Sequence, residues 1–126
     1  MKRTVLILFL CASGLVACKD DTGTTVDTAA FQRWEELRGQ GDLAGARAEL
    51  EALRARQGND PELAFRLGVT LEDMDDLAKA VVTYKDALKS FPESGKLWLA
   101  LGRDYRALKR WDKARDALLK ARELGV

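Results

Sequence analysis

Only two thiols occur in the chain, Cys11 and Cys18, both at the extreme N-terminus, and there is no histidine. That removes the commonest general base and the commonest nitrogen ligand for a metal. Ser90 and Ser94 flank Pro92 in a connecting stretch with no base motif beside them. Gly39, Gly41 and Gly45 lack the spacing of a phosphate-binding loop. The adjacent carboxylates Asp75–Asp76 and Glu35–Glu36 fall on expected turns or polar faces, where solvation and not acid–base work is their ordinary role. No catalytic residue, no metal site and no cofactor is expected. The two cysteines lie too close to one end to form a disulfide framework for the body.

Cys18 nevertheless stands at a special place. Lys2 and Arg3 precede an apolar run from Val5 to Ala12, small residues follow, and "LVAC" closes the segment at Cys18. This is the n-region, h-region and small-residue ending of a secretory signal. The 14 residues from Val5 to Cys18 are too few for a permanent span, which needs about 20. A core cysteine in an uncleaved helix is the alternative, and the full signal pattern argues against it.

The ending resembles the lipobox of bacterial lipoproteins. The resemblance implies that residues 1–17 are removed, that Cys11 is discarded, and that Cys18 becomes the lipid-bearing first residue. Two or three acyl chains, at about 0.8 kcal/mol per buried methylene, anchor a domain at a membrane. Lys19, standing where such proteins carry an inner-membrane retention Asp, leans the expected location toward the outer membrane, facing the periplasm.

Beyond the signal the body is close to neutral. Of the 21 basic residues two lie in the first 17, which hold no acid, so from residue 18 onward 19 bases face 20 acids. Nothing in that balance suggests nucleic acid as a partner. Residues 18–28, "CKDDTGTTVDT", are polar around the cysteine and form an expected flexible tether. Its last ten residues reach about 35 Å when extended.

From residue 29 to 126 the sequence repeats itself at an offset of 34. Leu67 matches Leu101, Gly68 matches Gly102, Leu77 matches Trp111, Ala80 matches Ala114, Tyr84 matches Leu118 and Ala87 matches Ala121. Trp98, Leu101, Gly102 and Tyr105 complete a W-x2-L-G-x2-Y pattern. The segments resemble the tetratricopeptide repeat, two antiparallel helices per 34 residues. The resemblance implies an all-α fold, a short α-solenoid of about three helix-turn-helix repeats at about 27–60, 61–94 and 95–126. The first is the most divergent, with an apolar stripe of Ala30, Trp34 and Leu37 in a slipped register. Glycine and alanine at 68, 102, 80 and 114 allow two helices to approach closely. Asp60 and Pro61 open a helix, and Ser90 to Pro92 closes one. Trp34, Trp98, Tyr84, Tyr105 and Trp111, at helical spacing, are expected in the core.

The family resemblance also implies a concave groove lined by the first helix of each repeat. Position by position it would contain Phe65 and Val69 with Glu62 and Glu72 from the middle repeat. The last repeat supplies Lys96, Leu99, Arg103 and Arg106, and the first supplies Phe31, Glu35 and Arg38. Glu35 and Arg66 occupy positions where carboxylate-clamping members carry Asn, so that clamp is not expected. The expected ligand is a protein or peptide segment with apolar and acidic residues. The expected function is a membrane-anchored adaptor or scaffold in the assembly of a bacterial cell-envelope complex. The alternative is a structural protein that self-associates through the last repeat, because the sequence stops at Val126 without the extra polar helix that caps many such arrays.

Overall fold

The computed structural model describes residues 28–126; the signal segment, Cys18 and nearly all of the tether lie outside the described residues. Six helices follow one another: α1 (Thr28–Gly39), α2 (Leu43–Gln57), α3 (Pro61–Asp73), α4 (Leu77–Ser90), α5 (Gly95–Ala107) and α6 (Trp111–Glu123). Thr28, expected to end the tether, opens α1.

The helices begin where the backbone finds caps. Asp60 accepts from the amides of Glu62 at 2.8 Å and Leu63 at 3.1 Å, with Pro61 at the first position of α3. Asp42, Asp76 and Ser94 cap α2, α4 and α5 in the same way. Arg110, in the equivalent place before α6, makes no side-chain cap.

The turns inside the pairs repeat as well. Gly41, Asp75 and Lys109 have positive φ of 83, 65 and 61 degrees and lie 34 residues apart. After each, the next amide reaches back into the preceding helix: Asp42 to the Leu37 carbonyl, Asp76 to Leu71 and Arg110 to Tyr105. A left-handed residue closing a helix satisfies carbonyls that would otherwise lack partners. The first repeat, divergent in its first helix, has the same turn as the others.

Helices pair as α1 with α2, α3 with α4 and α5 with α6. Each second helix then packs on the first helix of the next pair, and α3 also touches α5. The core runs along the whole stack, from Ala30 and Trp34 through Leu50, Leu63 and Tyr84 to Leu97, Leu101 and Ala114. A methyl on Gly68 would fall inside the ring of Tyr84, and one on Gly102 would meet Leu118 at 2.7 Å. The close approach read from those glycines is therefore real. Trp111 departs from expectation: it is 61 % exposed and no part of the core. Among the described residues no helix follows α6 to cover it, as α3 and α5 cover α2 and α4.

Candidate functional groove

The three first helices meet through charged side chains laid on aromatic rings. Between α1 and α3 the key residue is Arg66, whose guanidinium lies 4.4 Å from the centre of the Phe31 ring and 4.8 Å from that of Trp34. It also pairs with Glu62 at 2.9 Å and Glu35 at 3.8 Å. Arg38 binds Asp73 at the other end of α3, and that carboxylate raises the already high pKa of the guanidinium. Beneath these pairs the Trp34 indole N–H donates to Thr70 Oγ1 at 2.7 Å, a buried tie between the two helices.

Between α3 and α5 the same device recurs. Lys96 Nζ lies 2.7 Å from Glu62 Oε2 and 4.3 Å from the centre of the Phe65 ring. Cation–aromatic and ion-pair contacts of this kind are each modest at an exposed site. Together they fix the spacing of the helices.

Deeper in this interface lies a chain of acids. The Tyr84 hydroxyl donates to Glu72 Oε1 at 2.6 Å. Asp104, 4 % exposed, shares a hydrogen bond with Glu72, while its Oδ2 is buried with no partner. Burial first, and then the charge and hydrogen bond of Glu72, push Asp104 up to about 7, with Arg103 opposing. Burial and Glu72 also raise the Tyr84 phenol. An acid in that environment keeps its proton to a higher pH than a solvated carboxylate does.

Of the residues expected to line the groove, Phe65 and Lys96 are in direct contact. Phe65 and Val69 are half-buried against the core and Leu99 is half-buried, while Lys96, Arg103 and Arg106 are exposed. Phe31, expected at the groove, is instead 9 % exposed and part of the core beneath Arg66. Arg103 and Arg106 make no ion pair or hydrogen bond among the described residues. Sequence reasoning named Arg66 only as a departure from the carboxylate clamp and did not single out Asp104. Arg66 had a signal, since Glu62 lies one helical turn before it. Asp104 had a weaker one: the 34-residue offset sets it opposite Thr70. Among the described residues no cluster of His, Cys, Asp and Glu could hold a metal ion, and no helix is long and apolar enough to cross a membrane.

Two family models described as "Tetratricopeptide repeat" match residues 35–84 and 71–125. No curated protein matches the chain. Among solved structures, "MamA MSR-1 C2" is 24 % identical with a TM-score of 0.66, over 77 % of this chain and 56 % of that one. "MamA AMB-1 C2221" is 23 % identical with a TM-score of 0.65, over 91 % of this chain and 65 % of that one. A structure of a MamA mutant is 23 % identical with a TM-score of 0.66, covering 94 % of this chain and 95 % of that one. The chain thus spans between about half and two thirds of the first two MamA chains. At these identities the likeness is one of fold.

Proposed function

This chain belongs to the tetratricopeptide repeat family, and from that premise we propose that its groove holds an acidic segment of a partner protein against Arg103 and Arg106. Stacked helix pairs of this kind are protein-interaction scaffolds. The observation that carries the finer reading is the division of charge along the groove. Arg66, Arg38 and Lys96 are each held by acids of the chain itself. Arg103 and Arg106, one turn apart on α5, are exposed and form no ion pair among the described residues, although the charge of Arg103 is felt by the buried Asp104. Guanidinium groups suit planar carboxylates, and nearby Val69 and Leu99 offer half-buried apolar seats. Lys96 reaches a ligand only by leaving Glu62.

The lipobox adds a location. Lipid on Cys18 and a short polar tether hold the scaffold at a bacterial membrane, on the periplasmic side, with Lys19 favouring the outer membrane. There it serves the assembly of an envelope complex by positioning a partner. The proposed role is binding, with no catalytic step.

Co-purification of the full chain from cells tests both parts. Arg103→Glu with Arg106→Glu releases the partner, whereas Lys96→Ala retains it; retention by the double reversal contradicts the groove assignment. Cys18→Ser leaves the membrane fraction or accumulates as uncleaved precursor. Normal processing and membrane retention of that variant contradict the anchor.

A second reading has its own observation. Trp111, Leu119 and Val126 are 61 %, 41 % and 55 % exposed on and just beyond α6. Self-association through that surface predicts a mass that rises with concentration in light scattering, and a strict monomer removes it.

A further inference from the structure

The side of α5 turned away from the groove carries a second feature. Lys96, Leu99, Arg103 and Arg106 occupy one side of the helix; Trp98, Leu101 and Tyr105 occupy the opposite one, as the helical period requires. Those three line a cleft of about 430 Å³ closed by α4 and α6. An equivalent cleft of about 290 Å³ lies one repeat earlier, between α2, α3 and α4. The two correspond residue by residue at the 34-residue offset: Leu67 with Leu101, Leu71 with Tyr105, Lys79 with Lys113 and Glu51 with Lys85.

Their chemistry differs. In the first cleft Arg47 pairs with Glu51 at 3.3 Å and Lys79 with Asp76 at 3.6 Å, which leaves Arg54 as its one lining cation without an ion pair among the described residues. In the second, Lys85 replaces the glutamate and has no ion-pair partner among the described residues. Lys113 lies 5.8 Å from the centre of the Tyr105 ring, again with no acid paired to it. Of the other charges on the rim, Lys89 pairs with Asp86 at 3.4 Å and Asp116 with Arg115 at 3.5 Å. The floor differs too: Trp98 stands where the middle repeat has Ala64. Its indole N–H is bound to the Pro92 carbonyl at 2.8 Å, which holds the ring in place.

We propose that this cleft binds a single-chain anionic amphiphile. The carboxylate or phosphate head sits between Lys85 and Lys113, and the acyl chain lies over Trp98, Leu101 and Tyr105. Two unpaired ammonium groups on opposite walls select an anion. The apolar floor, in a volume within the range of small-molecule sites, selects a hydrocarbon body. The lining has no Asn, Gln, Ser or Thr side chain, and helical backbone amides are bonded within their own helices. Its polar groups are the Tyr105 hydroxyl, the Asp116 carboxylate and the lysine ammonium groups at the rim, too few to pair every amide of an extended peptide laid along the apolar floor. An acyl chain has none to satisfy.

Titration calorimetry of the full chain with sodium dodecanoate and with dodecyl phosphate, below their micelle concentrations, is the test. One anion of either kind binds per chain with saturation, and a brominated dodecanoate quenches indole fluorescence. Neutral dodecyl maltoside and cationic dodecyltrimethylammonium bind about tenfold more weakly or worse. Lys85→Glu with Lys113→Glu weakens the anions about tenfold at an unchanged melting temperature, and Lys79→Glu in the first cleft leaves them unchanged. Equal affinity for the three head-group charges overturns the proposal, whether or not the double variant folds. So does undiminished binding by a folded double variant, or capture of an acidic helical peptide with no response to dodecanoate or dodecyl phosphate.

Discussion

Thr70 and Asp104 occupy the same place in successive repeats and have opposite fortunes. Thr70 Oγ1 accepts from Trp34 and donates to the Arg66 carbonyl at 2.8 Å, so its hydroxyl is satisfied. Asp104 meets a carboxylate and leaves Oδ2 unpaired. Its folded pKa of about 7 lies above the unfolded value, which is about 3.9. The folded chain therefore holds this proton more tightly than the unfolded chain does. Its contribution to stability is complete below about pH 4, declines as the pH rises, and is lost above about 7. Asp104→Asn keeps a donor toward Glu72 and carries no charge. It should be more stable than the parent at pH 8 by about 1–3 kcal/mol, with a flatter profile between pH 4 and 8 in denaturant titrations. A parent whose stability rises across that range would contradict the assignment. This residue was not legible in the sequence because an aspartate between Arg103 and Tyr105 looks like any solvated helix charge. Only the packing of α3 against α5 makes it an interior acid. The glycines were legible, because a missing side chain at a repeated position has few explanations other than close approach.

At the scale of helices and turns the 34-residue offset carried most of the fold. It placed Pro61 and Gly95 at the starts of α3 and α5, and Leu77 and Trp111 at the starts of α4 and α6. The same offset exposes one weak point: Asp42 and Asp76 cap their helices, and Arg110 does not. A cation there also opposes the helix dipole. Arg110→Asp should gain about 0.5–2 kcal/mol in thermal or chemical unfolding. No gain would mean that the start of α6 frays in both forms. Gly102→Leu acts on the same pair in the other direction, forcing α5 and α6 apart at Leu118. A loss of about 1–3 kcal/mol is expected, and an unchanged melting temperature would contradict the contact. The first repeat was less legible in its first helix, whose stripe is slipped, although the offset set Gly41 at the turn, where its positive φ matches Asp75 and Lys109. Trp111 was misplaced because periodicity identifies an apolar position but not whether a later helix covers it.

For the molecule as a whole, three helix pairs carry the proposed binding face on one side and a lysine-rimmed cleft on the other. The sequence located the groove by resemblance, yet could not show which of its charges are spoken for. That depends on pairs formed between helices, such as Lys96 with Glu62 and Arg66 with Glu35. The structure leaves the engaging cations concentrated on α5. The most direct test is photo-crosslinking in the native cell. Reactive groups are placed at Val69 and Leu99 in the groove and, as a control, at exposed Lys120 on α6, with adducts identified by mass spectrometry. The groove positions should capture one discrete partner protein through an acidic segment, and Lys120 should not. Adducts only with a second copy of the chain, or the same adducts from Lys120, would contradict the groove as the binding surface.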